Sequence, residues 1–378
     1  MARESTDRGA DRRAVARWLF VCCGLLALLI GVGGITRLTR SGLSIPNWRP
    51  VTGILPPLGA AAWEEAFAEY RETPEYRIVH HGMTLSEYRR IFAWEYLHRL
   101  LARLLGVAFA VPLAIFAWRR RLPRGFGRRL VAILALGALQ GVAGWWMVAS
   151  GLVDEPRVSP LRLTVHLGLA LLLFAAMLDA ALELARPRPA AARRGVASSF
   201  AGALVVAVFV QALAGALMAG SRAGYLFPTF PEMAGELVPS RLFAVDPWPA
   251  SLWRDLVTIH FVHRWSGIAV AALAFAGLAA AFVRPADRAL RRLSSAVAAL
   301  AATTATLGVV TVSSGVAILP AVVHQLLAVA LLAAAIITRH AATAARVAAG
   351  DEAGVAPEVD RCGAIPKGYG EADDQASG

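Results

Sequence analysis

The stretch VARWLFVCCGLLALLIGVGGIT, residues 15–36, decides the fold. It carries one charge, Arg17, and as a helix rising about 1.5 Å per residue it is long enough to cross a hydrocarbon core of about 30 Å. Seven more apolar runs of similar length follow, at about 92–117, 129–149, 162–184, 197–220, 255–283, 293–315 and 320–341. Lipid offers the backbone no hydrogen-bond partners, so each run must satisfy its own N–H and C=O groups as a helix. None alternates with the period of a barrel strand. Composition agrees: 57% of the 378 residues are hydrophobic and 17% charged, against about 25% charged in soluble domains. The expected fold is an all-α polytopic membrane protein with eight transmembrane helices, which excludes an ordinary water-soluble enzyme.

Charge sets the orientation. The 38 basic residues outnumber 26 acidic ones for a net charge of +12, and all but one of the basic residues are arginine. They fall between the apolar runs, so they argue for membrane orientation and against nucleic acid as a partner. Arg3, Arg8, Arg12, Arg13 and Arg17 precede or open the first run, and Arg119, Arg120, Arg121, Arg124, Arg128 and Arg129 follow the second. Arg186, Arg188, Arg193 and Arg194 follow the fourth, and Arg284, Arg288, Arg291 and Arg292 the sixth. These connections are expected in the cytoplasm, with both termini. The acids Glu4, Asp7 and Asp11 disfavour a transit peptide, and the first run is too long for a signal peptide. The expected location is a prokaryotic cytoplasmic membrane, with residues 1–14 a cytoplasmic segment and 344–378 a disordered cytoplasmic tail. Cys22 and Cys23 lie inside the first helix and Cys362 in the tail, so no disulfide staples an external loop.

Two external loops are long, about 37–91 and 221–254, and loops of that size usually carry function. In the first, the spacing of Trp63, Phe67 and Tyr70 predicts a helix. It lies either on the membrane surface or on the protein's own outer face.

The chain repeats itself. Aligning His98-Arg99 with His263-Arg264 places Gly151 of VASGLV, 53 residues on, beside Gly315 of VSSGVA, 52 residues on. GGITRLTRSG at 33–42 likewise matches AGALMAGSRAG at 214–224. Three matches in one order predict two duplicated four-helix bundles, 15–190 and 191–343.

Ionisable groups inside a membrane are costly and each needs an account. His98, His166, His263 and His324 all fall on inward-running helices near their external starts, at similar depth. Neutral imidazole is a common iron ligand, and two histidines from different helices of a bundle can hold haem iron from both sides. The duplication pairs His98 with His166 and His263 with His324, with Gly106, Gly168 and Gly267 as small neighbours that would admit a flat macrocycle. Interhelical hydrogen bonds are the alternative for any single histidine, and a zinc or copper site lacks a supporting Cys or carboxylate cluster. His80 and His81 are expected in solvent and His340 at the cytoplasmic interface.

The halves differ at one telling position. Three residues before the His-Arg pair stands Glu95 in the first half and His260 in the second, giving ExxHR against HxxHR. Residues three apart share a helix face, so Glu95 is expected beside His98, placed to move protons or stabilise charge, or else to pair with an arginine. Arg99 and Arg264 are expected either at haem propionates or snorkelled to the headgroups.

These blocks, with FAWEYLHRLLARLLG at 92–106, QGVAGWWMVASGLVDEPRVSPLRLTVHLGLA at 140–170, HFVHRWSG at 260–267 and LPAVVHQLLA at 319–328, resemble the haem A synthase family of proteobacterial and mitochondrial type over about residues 15–343. The resemblance implies oxidation of a ring methyl of haem O to a formyl group by two successive hydroxylations, giving haem A for cytochrome oxidase. It implies a resident haem b, with its iron on His263 and His324, and a substrate haem on His98 and His166. Glu95 is then the catalytic carboxylate. It also implies haem O as substrate, a membrane-lipid setting, a complex with haem O synthase and a homo-oligomer. Some members carry a cysteine pair in the first external loop, whereas residues 37–93 contain none, and His260 is not demanded by the pattern. A dihaem b-type electron-transfer protein without substrate chemistry fits the four histidines equally, but leaves Glu95 without a role. A transporter is third, since transporter duplications often invert topology.

Overall fold

The computed structural model describes residues 2–48, 52–153, 155–187, 196–283 and 288–354. Its helices are α1 (Ala2–Leu38), α2 (Gly59–Arg71), α3 (Pro74–Ile78), α4 (Leu85–Trp118), α5 (Phe126–Ala149), α6 (Pro160–Ala185), α7 (Val196–Ser221), α8 (Ser251–Arg254), α9 (Leu256–Val283), α10 (Arg288–Ser313) and α11 (Ile318–Gly354). Eight of them, all but α2, α3 and α8, are long and apolar enough to cross a membrane. Among the described residues there is no strand. The protein is an all-α polytopic membrane protein.

Helix ends reach beyond the apolar runs. α1 begins at Ala2 and α11 continues to Gly354, so helix extends through residues 344–354, where a disordered tail is expected from composition. The rest of that tail, 355–378, lies outside the described residues, as do 1, 188–195 and 284–287. α4 starts at Leu85, well before its apolar run, because Thr84 and Glu87 form a capping box there. Pro112 sits inside α4 without ending it, as spanning helices permit. α6 starts on Ser159 as N-cap with Pro160 at its first position.

The same packing order occurs twice. α1 packs on α4 and α6, and α5 packs on α4 and α6; α7 packs on α9 and α11, and α10 packs on α9 and α11. The halves meet through α6 on α7, α1 on α11 and α6 on α11, so α1, α6, α7 and α11 make the centre. Their facing sides hold the apolar core, with Leu19, Leu26, Leu171, Met177, Leu204 and Leu332 buried. α1 and α7 also leave the membrane alike, through the left-handed, non-glycine residues Arg40 (φ 53°) and Arg222 (φ 61°), a conformation that costs about 1–2 kcal/mol.

The first external loop folds back on the protein. α2 buries Phe67 and Tyr70 against Tyr88 and Phe92 of α4, with the Tyr70 and Tyr88 rings stacked at 5.0 Å. Tyr88 Oη donates to the carbonyls of Ser44 at 3.3 Å and Ala66 at 3.1 Å. Of the two expectations for this helix, packing on the outer face is the one realised. The external extension of α4 carries the cap, so Thr84→Ala should loosen it. We expect a loss of about 1 kcal/mol, read as several-fold faster hydrogen exchange over residues 85–92, with the spans unaffected.

Candidate functional site

His98 on α4, His166 on α6, His263 on α9 and His324 on α11 share one arrangement. Each ring abuts a glycine of a neighbouring helix with Cε1 as its nearest atom. A Cβ at Gly33, Gly144, Gly215 or Gly308 would stand 3.0 Å from Cε1 of His98, His166, His263 or His324 respectively, tighter than a carbon contact allows. Gly33 and Gly215 are on α1 and α7, and Gly144 and Gly308 on α5 and α10, so the repeat extends to the partners.

Without a side chain, each glycine lets the imidazole reach the turn before it. His324 Nδ1 bonds the carbonyl of Thr304 at 2.8 Å, four residues before Gly308. His263 Nδ1 lies 3.1 Å from Nε2 of Gln211, four before Gly215. His98 and His166 direct their rings toward the main chain of Leu29 and Gln140, again four before their glycines. Their Nδ1 atoms are buried and stop short of hydrogen-bond geometry. A proton fixed on Nδ1 by a carbonyl leaves Nε2 free as a ligand, and His324 meets that condition directly.

The spacing of the second pair tests the fit to haem. Two imidazoles on opposite sides of one metal ion, with bonds of about 2 Å, have ring centres about 6 Å apart. The His263 and His324 centres are 6.4 Å apart, with planes crossing at 88°. All four rings lie deep among helices yet keep accessible surface. His98 and His166 are within electrostatic reach of each other. Among the described residues no three His, Cys, Asp or Glu side chains gather as a metal site, so the pairs stand without the fuller ligand set of a structural zinc site.

The glycines expected to admit a macrocycle, Gly106, Gly168 and Gly267, are not those that touch the histidine rings. Gly106 faces open space, and a Cβ at Gly168 would meet Leu213 and one at Gly267 would meet Gln211. The sequence signal that identifies the right glycines is the repeat itself, since Gly33 and Gly215 lie in the matching GGITR and AGALM blocks.

Glu95 is buried at 3% exposure, and its carboxylate is fully engaged. Oε2 accepts from Ser44 Oγ and Ile45 N, both at 2.8 Å, and Oε1 accepts from Arg99 at 2.6 Å. Arg99 also donates to the carbonyls of Ile45 at 2.6 Å and Asn47 at 3.0 Å. The pair thus ties the end of the 41–47 loop to α4, one turn from His98. In the second half Arg264 donates to the carbonyls of Thr229, Pro231 and Glu232 at 2.9–3.1 Å and lies 3.1 Å from Nε2 of the wholly buried His260. Both arginines hold loop backbone, and His260 occupies the place of Glu95.

Three more residues have specific partners, His80 against the expectation of solvent. His80 is half-buried, with Nδ1 2.6 Å from Tyr70 Oη. His340 is buried and bonded to the Arg186 carbonyl at 2.9 Å. Gln325, next to His324, donates to the Ile30 carbonyl at 2.7 Å and sits against Gly34, so α1 touches His98 and the neighbour of His324 with adjacent glycines.

Helix bundles build cofactor and metal sites from side chains on facing helices, and the His263–His324 pair is an arrangement of that kind. Residues 16–336 match the COX15-CtaA model, described as cytochrome oxidase assembly protein, and the chain belongs to this family. A heme A synthase of Nitrosospira multiformis is 45% identical over 267 residues, covering 70% of this chain and 75% of its own. Heme A synthases of Bradyrhizobium sp. (strain ORS 278) and Rhodopseudomonas palustris (strain HaA2) are 47% and 48% identical, covering 70% and 69% of this chain and 73% and 72% of theirs.

The glycine contacts give a graded prediction. Gly308→Ala and Gly215→Ala, each placing a methyl 3.0 Å from a histidine carbon, should lower thermal stability by about 1–3 kcal/mol. Gly24→Ala, inside α1 with nothing within 4 Å, should not destabilise and should add up to about 1 kcal/mol of helix propensity. Thermal unfolding in detergent tests this, and equal effects at all three would contradict it.

Proposed function

We propose that the protein is a haem A synthase, oxidising a ring methyl of haem O to the formyl group of haem A through two successive hydroxylations. The observation that carries this reading is the His263–His324 pair, 6.4 Å apart, each ring backed by a glycine that recurs at His98 and His166. The bundle of residues 191–343 holds a resident haem b on His263 and His324, and that of residues 15–190 takes the substrate haem on His98 and His166. When bound, the resident haem supplies one-electron exchange through its iron.

The chain's own residues do the rest. The Thr304 carbonyl accepts the His324 Nδ1 proton and so leaves Nε2 unprotonated. Glu95 places a negative charge one turn from His98 and, through Ser44, Ile45 and Arg99, holds the 44–47 backbone over that site. This excludes water from above and fixes the substrate's position. His260 holds the equivalent place with no carboxylate, in line with different tasks for the two halves. An electron conduit alone needs no such difference, which disfavours the dihaem electron-transfer reading.

The protein acts as a multi-pass protein of the prokaryotic cell membrane with both termini in the cytoplasm. A complex with haem O synthase would deliver so apolar a substrate without passage through water, and a homo-oligomer is compatible with the exposed lipid-facing helices. The test is haem extraction and chromatography from cells making the protein with a source of haem O. Haem A should appear; unchanged haem O with two bound b-type haems would favour the conduit. Glu95→Ala should keep the resident haem spectrum and lower product by about 100-fold or more. His324→Ala should abolish the resident haem spectrum while the helices still insert.

A further inference from the structure

The external cap holds a buried acid that the proposed chemistry leaves without a task. Glu75, in the first turn of α3, is 5% exposed. Its Oε2 is 3.4 Å from Tyr70 Oη, which is 2.6 Å from Nδ1 of His80. Tyr70 is wholly buried, and His80 is half-buried on the external side. The three groups form one chain from the inside of the cap to its surface.

The inner end lies within electrostatic reach of Glu95, which stands one turn from His98. Tyr70 stacks on Tyr88, Tyr88 Oη donates to the Ser44 carbonyl, and Ser44 Oγ donates to Glu95. Glu75 and Tyr70 both feel the Glu95 carboxylate. The other charges facing Glu75 are Arg40 at the end of α1 and Arg222 at the end of α7.

Burial, reinforced by Glu95, pushes the Glu75 carboxyl up to about 8, although the Tyr70 bond and the two arginines oppose it. Burial and Arg40 hold His80 below its ordinary value. Burial, then Glu75, raises Tyr70. At neutral pH Glu75 therefore carries a proton and His80 is neutral. Tyr70 has one hydroxyl proton, and its Oη stands between Glu75 Oε2 and His80 Nδ1 with the shorter contact to His80. Once Tyr70 turns its proton to His80, a protonated Glu75 can donate to Tyr70 Oη, and the donors then run one way.

The geometry points to Glu75, Tyr70 and His80 as a proton relay between the space beside Glu95 and the external solution. This rests on the proposed oxidation, which withdraws hydrogen from a methyl group and so moves protons as well as electrons. In one transfer Tyr70 passes its proton to His80 Nδ1 while Glu75 passes its own to Tyr70 Oη. His80 releases its Nε2 proton to water, and the Glu75 carboxylate takes up the proton that the oxidation of the methyl group releases. One proton crosses the cap, and no bond to carbon changes.

The test uses the full-length, haem-loaded protein with Glu75→Gln, Tyr70→Phe and the conservative Glu75→Asp. Infrared titration of the wild type should show a protonated carboxyl that ionises near pH 8, absent in Glu75→Gln. Product formation should fall about 100-fold in Glu75→Gln and Tyr70→Phe, with the bound-haem spectrum unchanged. A small weak acid such as acetic acid should restore it, and Glu75→Asp should retain most of it. Wild-type rates and pH profile in both blocked variants, loss without rescue, or loss of the haem spectrum would each overturn the relay. A wild type that makes no haem A would instead defeat the proposed oxidation, and the infrared titration would still decide the state of Glu75: no carboxyl ionising near pH 8 overturns the relay on its own.

Discussion

An imidazole inside a membrane needs a polar partner, and the helices around it have already used their backbone groups on themselves. In this protein glycine relieves the conflict. By removing one side chain from the facing helix, Gly33, Gly144, Gly215 and Gly308 bring each histidine ring onto the helix surface. At His324 this contact gives a hydrogen bond to the Thr304 carbonyl, which assigns the proton to Nδ1 and leaves Nε2 unprotonated. The same glycine contact recurs at all four matched positions, while the hydrogen bond to Nδ1 is closed at His324 and left open at His98 and His166.

The external ends of the halves are built from the same device with different chemistry. In each, an arginine one residue after the histidine gathers carbonyls of the overlying loop, from Ile45 and Asn47 on one side and from Thr229, Pro231 and Glu232 on the other. The group that faces the arginine four residues earlier is a carboxylate in one half and an imidazole in the other. Buried at 3% exposure with three donors on its two oxygens, Glu95 is held as strongly by the loop as by the arginine. Removing it would leave Arg99 with an uncompensated charge, which is costly at such a depth. Its electrostatic and structural roles are therefore carried by the same bonds.

The eight spans were legible because lipid enforces long apolar runs, and the histidines because charge in such runs is rare. The repeat pointed to the histidines to compare, and the surface helix around Trp63 and Tyr70 was visible in its spacing. What stayed hidden depends on contacts far apart in sequence. Nothing local distinguishes Gly308, which abuts His324, from Gly106, which faces open space. Likewise His80 reads as a solvated loop residue until α2 places Tyr70 against it, and His340 reads as interfacial until Arg186 approaches. The extension of α4 to Leu85 was signalled by Thr84 and Glu87, but polar residues beyond an apolar run are easily read as loop.

The central claim is that paired imidazoles from facing helices clamp iron on both sides. Electron paramagnetic resonance of the oxidised protein loaded with haem at the His263–His324 site alone, the other site removed by His98→Ala and His166→Ala, addresses it most directly. The account predicts a low-spin ferric signal from two imidazole ligands, lost in His263→Ala and retained in His340→Ala. A high-spin spectrum in that protein, or a low-spin signal that survives replacement of His263, would contradict it.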